Sequence, residues 1–215
     1  MTGPASAPAG FGPREAALVR LSAGLAGRDR AALEEAMAGA RDTLDAQEVE
    51  EALVQSYLFL GYPTALNALA LWREVSARGP TRGTSVPPGE WAARGEAVCR
   101  AVYAGQYARL RDNVRALHPE VERWMVEEGY GKVLGRRALD LATRELCVVA
   151  ILAVDDQPRQ LYSHLRGALN VGVPPEVVEA ALTEALRAAA EDVARRSRDV
   201  WRRVRARTES PRDLA

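Results

Sequence analysis

Residues 136–172 read RRALDLATRELCVVAILAVDDQPRQLYSHLRGALNVG. Two helices are written into this stretch. The first runs from Leu139 to about Val154 and is apolar apart from Asp140, Thr143, Arg144 and Glu145. Asp155 and Asp156 are expected to cap the second, which runs to about Val171 and stops at Gly172, since helices commonly end on a glycine in the left-handed conformation. Gln157, Gln160 and His164 follow one another at steps of three and four, which places them on one helical face. A Glu–His pair of this kind can move a proton near neutral pH, because imidazole titrates there and a carboxylate can fix its tautomer. Glu145 and His164 are the candidate catalytic residues.

Outward from that stretch the composition speaks for helices. The 215 residues are rich in Ala, Leu, Arg and Glu and hold two Phe, and no run alternates as a strand would. The expected fold class is all-α. Basic and acidic residues balance at 29 each, which gives no charge argument for a nucleic-acid partner or an anionic membrane. No apolar run is long enough to span a bilayer. Cys99 and Cys147 form no CxxC and no metal spacing. Two free thiols without an export signal suit a reducing cytoplasm. No metal and no cofactor are implied, one His and one Glu falling short of a ligand set.

The chain divides as follows. Residues 1–13 read as a disordered tail, 14–77 as a first helical unit, 78–90 as a Gly/Pro-rich linker, 91–208 as a second helical unit and 209–215 as a tail. Asp45 and Glu48 have capping-box spacing. Gly129 to Gly135 reads as a glycine-rich loop, and residues from Pro175 to about Arg207 read as one long helix, with two collinear pieces as the alternative. The two units echo each other: Arg14-Glu15 with Arg144-Glu145, Gly39-Ala40 with Gly167-Ala168, Glu48-Val49 with Glu176-Val177, and Trp72 with Trp201, at a near-constant offset. A duplicated helical unit is the expectation. The first unit has Ala36 where the second has His164, yet keeps Gly61-Tyr62-Pro63 and Asn67.

The order Glu145, Gln157, Gln160, His164, with Tyr130-Gly131 and Arg136 before it and His164-Leu165-Arg166 at its end, resembles the carboxymuconolactone decarboxylase family within the alkylhydroperoxidase D-like superfamily. In the peroxidase branch of that superfamily cysteines stand where Gln157 and Gln160 stand here, so the branch lacking them is the closer likeness. The resemblance implies an alkylhydroperoxidase D-like helical bundle. It implies a cofactor-free lyase acting on a small carboxylate or lactone, in which His164 delivers a proton and Glu145 orients it. It also implies that Arg136 binds a substrate carboxylate, that Gln157 and Gln160 contact the substrate, and that Tyr62 and Asn67 complete the His164 pocket across the two units. Rings of domains in the family imply a homo-oligomer, a trimer of pseudo-dimers or a dimer.

Two other readings stand beside this one. A thiol peroxidase would need a low-pKa thiolate with a resolving partner, and glutamines fill both places. A helical binding or assembly protein without catalysis would keep the fold and lose the site. For single residues the plain alternatives are a structural Glu145 held by Arg144 or Arg166, a solvated Arg136, and Gln157 and Gln160 as ordinary surface residues.

Overall fold

The computed structural model describes residues 8–83 and 85–208. The terminal stretches 1–7 and 209–215 of the two expected tails lie outside the described residues. Side chains such as Ala, Leu, Arg and Glu lose little rotamer freedom in a helix, and every regular element among the described residues is helical. In chain order these are α1 (Pro13–Gly27), α2 (Arg30–Thr43), α3 (Ala46–Gln55), α4 (Tyr57–Ser76), α5 (Trp91–Tyr103), α6 (Tyr107–Leu117), α7 (Pro119–Trp124), a π-helical segment (Met125–Leu134), α8 (Leu141–Val154), α9 (Pro158–Asn170), α10 (Pro175–Ala185) and α11 (Glu191–Thr208). Short 3-10 turns join several of them.

The core is built around α8. Every residue from Thr143 to Ala153 is buried, as befits a helix apolar on nearly all sides. It packs against α1, α9, α10 and α11. Helix α1 shares its sides between two apolar clusters. Val19 and Ala23 join the cluster of α9, α10 and α11, while Leu18 and Leu21 join Met37, Leu53 and Trp72 together with Leu139 and Cys147 of the second half. The halves of the chain are therefore stitched through each other. Helix order also runs in parallel: α1 to α4 have 15, 14, 10 and 20 residues, and α8 to α11 have 14, 13, 11 and 18.

Five stretches depart from or add to their sequence reading. Residues 8–13 are not a loose tail: Phe11 is buried in the main cluster and α1 starts at Pro13. Residues 78–90 connect the halves but are tied down. The backbone N–H of Thr81 donates to Glu50 at 2.9 Å, and Trp91 Nε1 donates to the Val86 carbonyl at 2.9 Å. The stretch read as a loop at 129–135 is mostly π-helix. Its glycine serves close approach rather than turning: a Cβ on Gly131 would lie 2.0 Å from the Trp91 carbonyl oxygen, and one on Gly95 of α5 would lie 1.9 Å from that of Val126. The long C-terminal helix is two helices, broken where Ala189 becomes extended at φ −101°, ψ 149°. Helix α10 serves α1 and α8 while α11 serves α9, so each piece carries its own part of the apolar stripe. Gln157 rather than the aspartates precedes α9, and Asp156 turns left-handed at φ 55° to pair with Arg196 at 2.7 Å.

Candidate functional site: a buried Glu–His pair at the wall of an apolar pocket

Asp140 fixes the start of α8 by accepting from the Thr143 N–H at 2.8 Å and its hydroxyl at 2.7 Å. One turn on, Glu145 is fully buried. Its Oε2 lies 2.9 Å from Nδ1 of His164 on α9. Against an ionised carboxylate, which only accepts, Nδ1 would carry the hydrogen, and a neutral ring would then present its lone pair at Nε2. Nothing among the described residues donates to the other oxygen, Oε1. A buried carboxylate with a free acceptor is costly, and the fold holds it there by close packing. A Cβ on Gly167 would sit 2.7 Å from Glu145 Oε2 and 2.7 Å from Val102 Cγ1. Gly167 is the residue that lets α9 approach closely enough for His164 to reach Glu145.

His164 forms part of a cavity of about 350 Å³, within the roughly 300–1,000 Å³ of small-molecule sites. Leu58, Phe59, Met125 and Leu134 give it an apolar lining, and Val121 and Trp124 stand half exposed at its edge. The Phe59 ring meets the imidazole edge-on at 5.9 Å. Two tyrosines supply hydroxyls. Tyr130 donates to the Tyr103 oxygen at 3.1 Å, which leaves the Tyr103 proton free to point elsewhere. Burial pushes the Tyr103 phenol well above its ordinary range, and the charge of Glu145 adds to this. Burial does the same to Tyr130. Both remain neutral donors throughout the working range of most enzymes.

The structure separates the sequence candidates. Glu145 and His164 are brought together, and Gln160 lines the same cavity. Gln157 is exposed and bonds Asp155 Oδ2 at 3.1 Å, away from it. Arg136 is committed elsewhere: its Nε lies 2.9 Å from both oxygens of Glu51 and its Nη2 lies 2.6 Å from one of them. Arg144 does not hold Glu145 either, but reaches Glu51 at 2.7 Å and Gln55 at 3.0 Å. Burial opposes ionisation of Glu51, yet the bonds from Arg136 and Arg144 outweigh it and hold its pKa below the ordinary value. Within the chain Tyr62 is off the pocket. It stacks on Tyr57 at 4.7 Å, and Tyr57 donates to Glu128 at the pocket rim at 2.9 Å. Asn67 lines a different groove, beside α1 and α2. Gly61, at φ +79°, bends α4 here and turns those two side chains away. Sequence reading missed Tyr103, Phe59 and Trp124, because aromatic residues at helix ends look like ordinary packing.

Neither thiol has the lowered pKa that peroxide chemistry needs. Burial pushes Cys99 up to about 12 and Cys147 up to about 11. Both are free and buried. Among the described residues no three His, Cys, Asp or Glu side chains converge as a metal site, and no helix is long and apolar enough to cross a membrane.

Fold and site together define a class: all-helical bundles with a buried Glu–His pair on adjacent helices beside a small pocket. Comparison with known proteins finds a family likeness over part of the chain. Residues 119–203, from α7 into α11 and hence including both catalytic candidates, match the carboxymuconolactone decarboxylase family. The chain is also similar to Peroxisomal protein 2 of Schizosaccharomyces pombe (strain 972 / ATCC 24843), with 28% identity over 153 residues, 65% of this chain and 67% of that protein.

Proposed function

We infer that this protein is a cofactor-free proton-transfer enzyme of the carboxymuconolactone decarboxylase type, acting on a small lactone or related conjugated carbonyl compound with a mostly apolar body. The observation that carries this reading is the orientation of His164. Its Nδ1 is held by Glu145 at 2.9 Å and the ring forms part of the wall of an apolar cavity. Pairing with Glu145 fixes the ring, so His164 can take or give a proton at Nε2. Tyr103 supplies a neutral hydroxyl for the oxygen on which charge develops.

In the decarboxylating version, the bond to the carboxyl carbon breaks and carbon dioxide leaves. The electron pair moves into the conjugated carbonyl as an enolate, and protonated His164 delivers its proton to carbon. In the isomerising version His164 first removes a proton from carbon and returns it elsewhere. With Arg136 engaged by Glu51, and no Arg or Lys in the pocket lining, a substrate carboxylate would meet mostly apolar walls and the acidic Glu128. Losing its charge is favoured there, because desolvation penalises the charged state more than the transition state in which that charge disperses. The half-exposed Val121 and Trp124 at the pocket edge suit the homo-oligomer that the family likeness implies, and the two free thiols suit a reducing compartment such as the cytoplasm.

The test is a thermal-shift panel of lactones, small carboxylic acids and hydroperoxide analogues on the wild type and on His164→Gln, followed by turnover assays on the hits. A lactone or acid that stabilises the wild type, fails on His164→Gln and is turned over bears the reading out. Turnover that depends on a thiol, or no hit in a broad panel, sinks it, the second outcome favouring a binding or assembly protein.

A further inference from the structure

Arg109 on α6, Arg166 on α9 and Arg207 on α11 converge on a cleft of about 300 Å³. Among the described residues no carboxylate lines it, while Gln106, Asn113 and Ser163 add neutral polar groups. A neighbouring cleft of about 640 Å³ shares Tyr162 and Arg207 and adds Arg159 and Arg203, again with no acidic residue among those described. None of these five arginines makes an ion pair within the described residues, in a chain whose basic and acidic residues balance. By contrast Arg111, Arg136, Arg144 and Arg196 all sit on carboxylates.

The clustering is organised rather than accidental. Tyr162 accepts from Arg207 Nη1 at 2.9 Å. Its ring also lies 6.0 Å from the Arg166 guanidinium carbon and 5.7 Å from that of Arg207. One aromatic ring thus lies beside two cations, at distances where its π-system attracts them. Like charges held together without counter-charges repel, and an anion relieves that repulsion while accepting forked hydrogen bonds. The cleft is distinct from the His164 cavity, the ring of Tyr103 forming part of both walls.

We propose that the Arg109–Arg166–Arg207 cleft is a binding site for a small, multiply charged oxyanion, either a phosphate compound or a di- or tricarboxylate. It does not depend on the catalytic reading of His164. The test is calorimetric titration of the full chain with inorganic pyrophosphate and, separately, citrate, at ionic strength matched with sodium chloride. Saturable binding with a dissociation constant below about a millimolar is expected for at least one, and the stronger of the two names the source class. Arg166→Gln and Arg207→Gln should each weaken it by about tenfold or more. Arg109→Gln, at an exposed position, gives a variant whose folding is not in question and should weaken it as well. Arg82→Gln, on the connection between α4 and α5, should leave it unchanged. No saturable binding of either anion, or an equal loss in Arg82→Gln, would overturn the proposal, the latter by showing that bulk charge alone is responsible.

Discussion

Substituting Gly167 by alanine separates the geometry of the Glu145–His164 pair from its chemistry, because no reacting group is removed. The added methyl would meet Glu145 Oε2 at 2.7 Å and Val102 Cγ1 at 2.7 Å, where ordinary contact begins at 3.4 Å. Both neighbours must therefore recede by about 0.7 Å, or α9 must move away from them. Taken along the 2.9 Å bond to His164, that movement gives about 3.6 Å, which is no longer a hydrogen bond. If α9 backs away instead, His164 is carried off with it. Overpacking of this kind costs about 1–3 kcal/mol. For a chain of this size each kcal/mol is roughly 2–4 °C, so the melting temperature should fall by about 2–12 °C. The assay pairs thermal unfolding with proton NMR of the imidazole Nδ1–H, which in the wild type is buried, bonded to Glu145 and slow to exchange. Gly167→Ala should lose that signal and lose most turnover of whatever substrate the panel identifies, with the circular dichroism of a folded helical protein retained. An unchanged Nδ1–H signal at an unchanged melting temperature would refute the reasoning, because the pair would then not depend on the close approach of α9.

Three further outcomes follow from the same structure. His164→Gln keeps a polar side chain of similar reach but cannot exchange a proton, so turnover should fall by about 10²–10⁴-fold while the fold persists; full activity in this variant would remove His164 from the mechanism. Cys99 and Cys147, with thiols pushed up to about 12 and 11 by burial, should resist alkylation of the native protein at pH 8, and the Cys99→Ala/Cys147→Ala variant should retain activity. A loss of activity there would reinstate thiol chemistry. Glu51 has its carboxyl pKa held below the ordinary 4.5, so its contribution to stability is present above that pH and is lost as pH falls through the lowered value. Glu51→Gln leaves Arg136 and Arg144 unpaired and should cost about 3–5 kcal/mol at neutral pH, about 6–20 °C in melting temperature. Its unfolding should also show a shallower acid dependence than that of the wild type, and identical acid profiles would contradict the assignment.

Much of the architecture could be read locally. The starts of α1 and α2, the capping contact of Glu48 with the Asp45 N–H at 3.3 Å, and the end of α9 before Gly172 at φ +92° are short-range features. Their chemistry lies within a few residues of one another. The errors share a different character. Gly131 looks like a loop residue until α5 is laid against it, and Ala189 looks like helix until α10 and α11 are seen to serve different neighbours.

The sequence by itself determined an all-helical chain, a Glu–His pair at the spacing of the carboxymuconolactone decarboxylase family, and the absence of the paired cysteines that peroxide chemistry would need. These are matters of residue type and periodicity, which a helix expresses wherever it is placed. Only the tertiary structure decided who partners whom. Arg136 and Arg144 reach Glu51 across 85 and 93 residues, taking the expected carboxylate anchor out of the site. Tyr103 and Tyr130 meet across 27 residues to supply its hydroxyls. The arginine cleft draws on α6, α9 and α11 and is invisible in a net charge of zero. A charged side chain spends itself on the nearest opposite charge or hydrogen-bond partner in space, and that neighbour is chosen by how the helices pack.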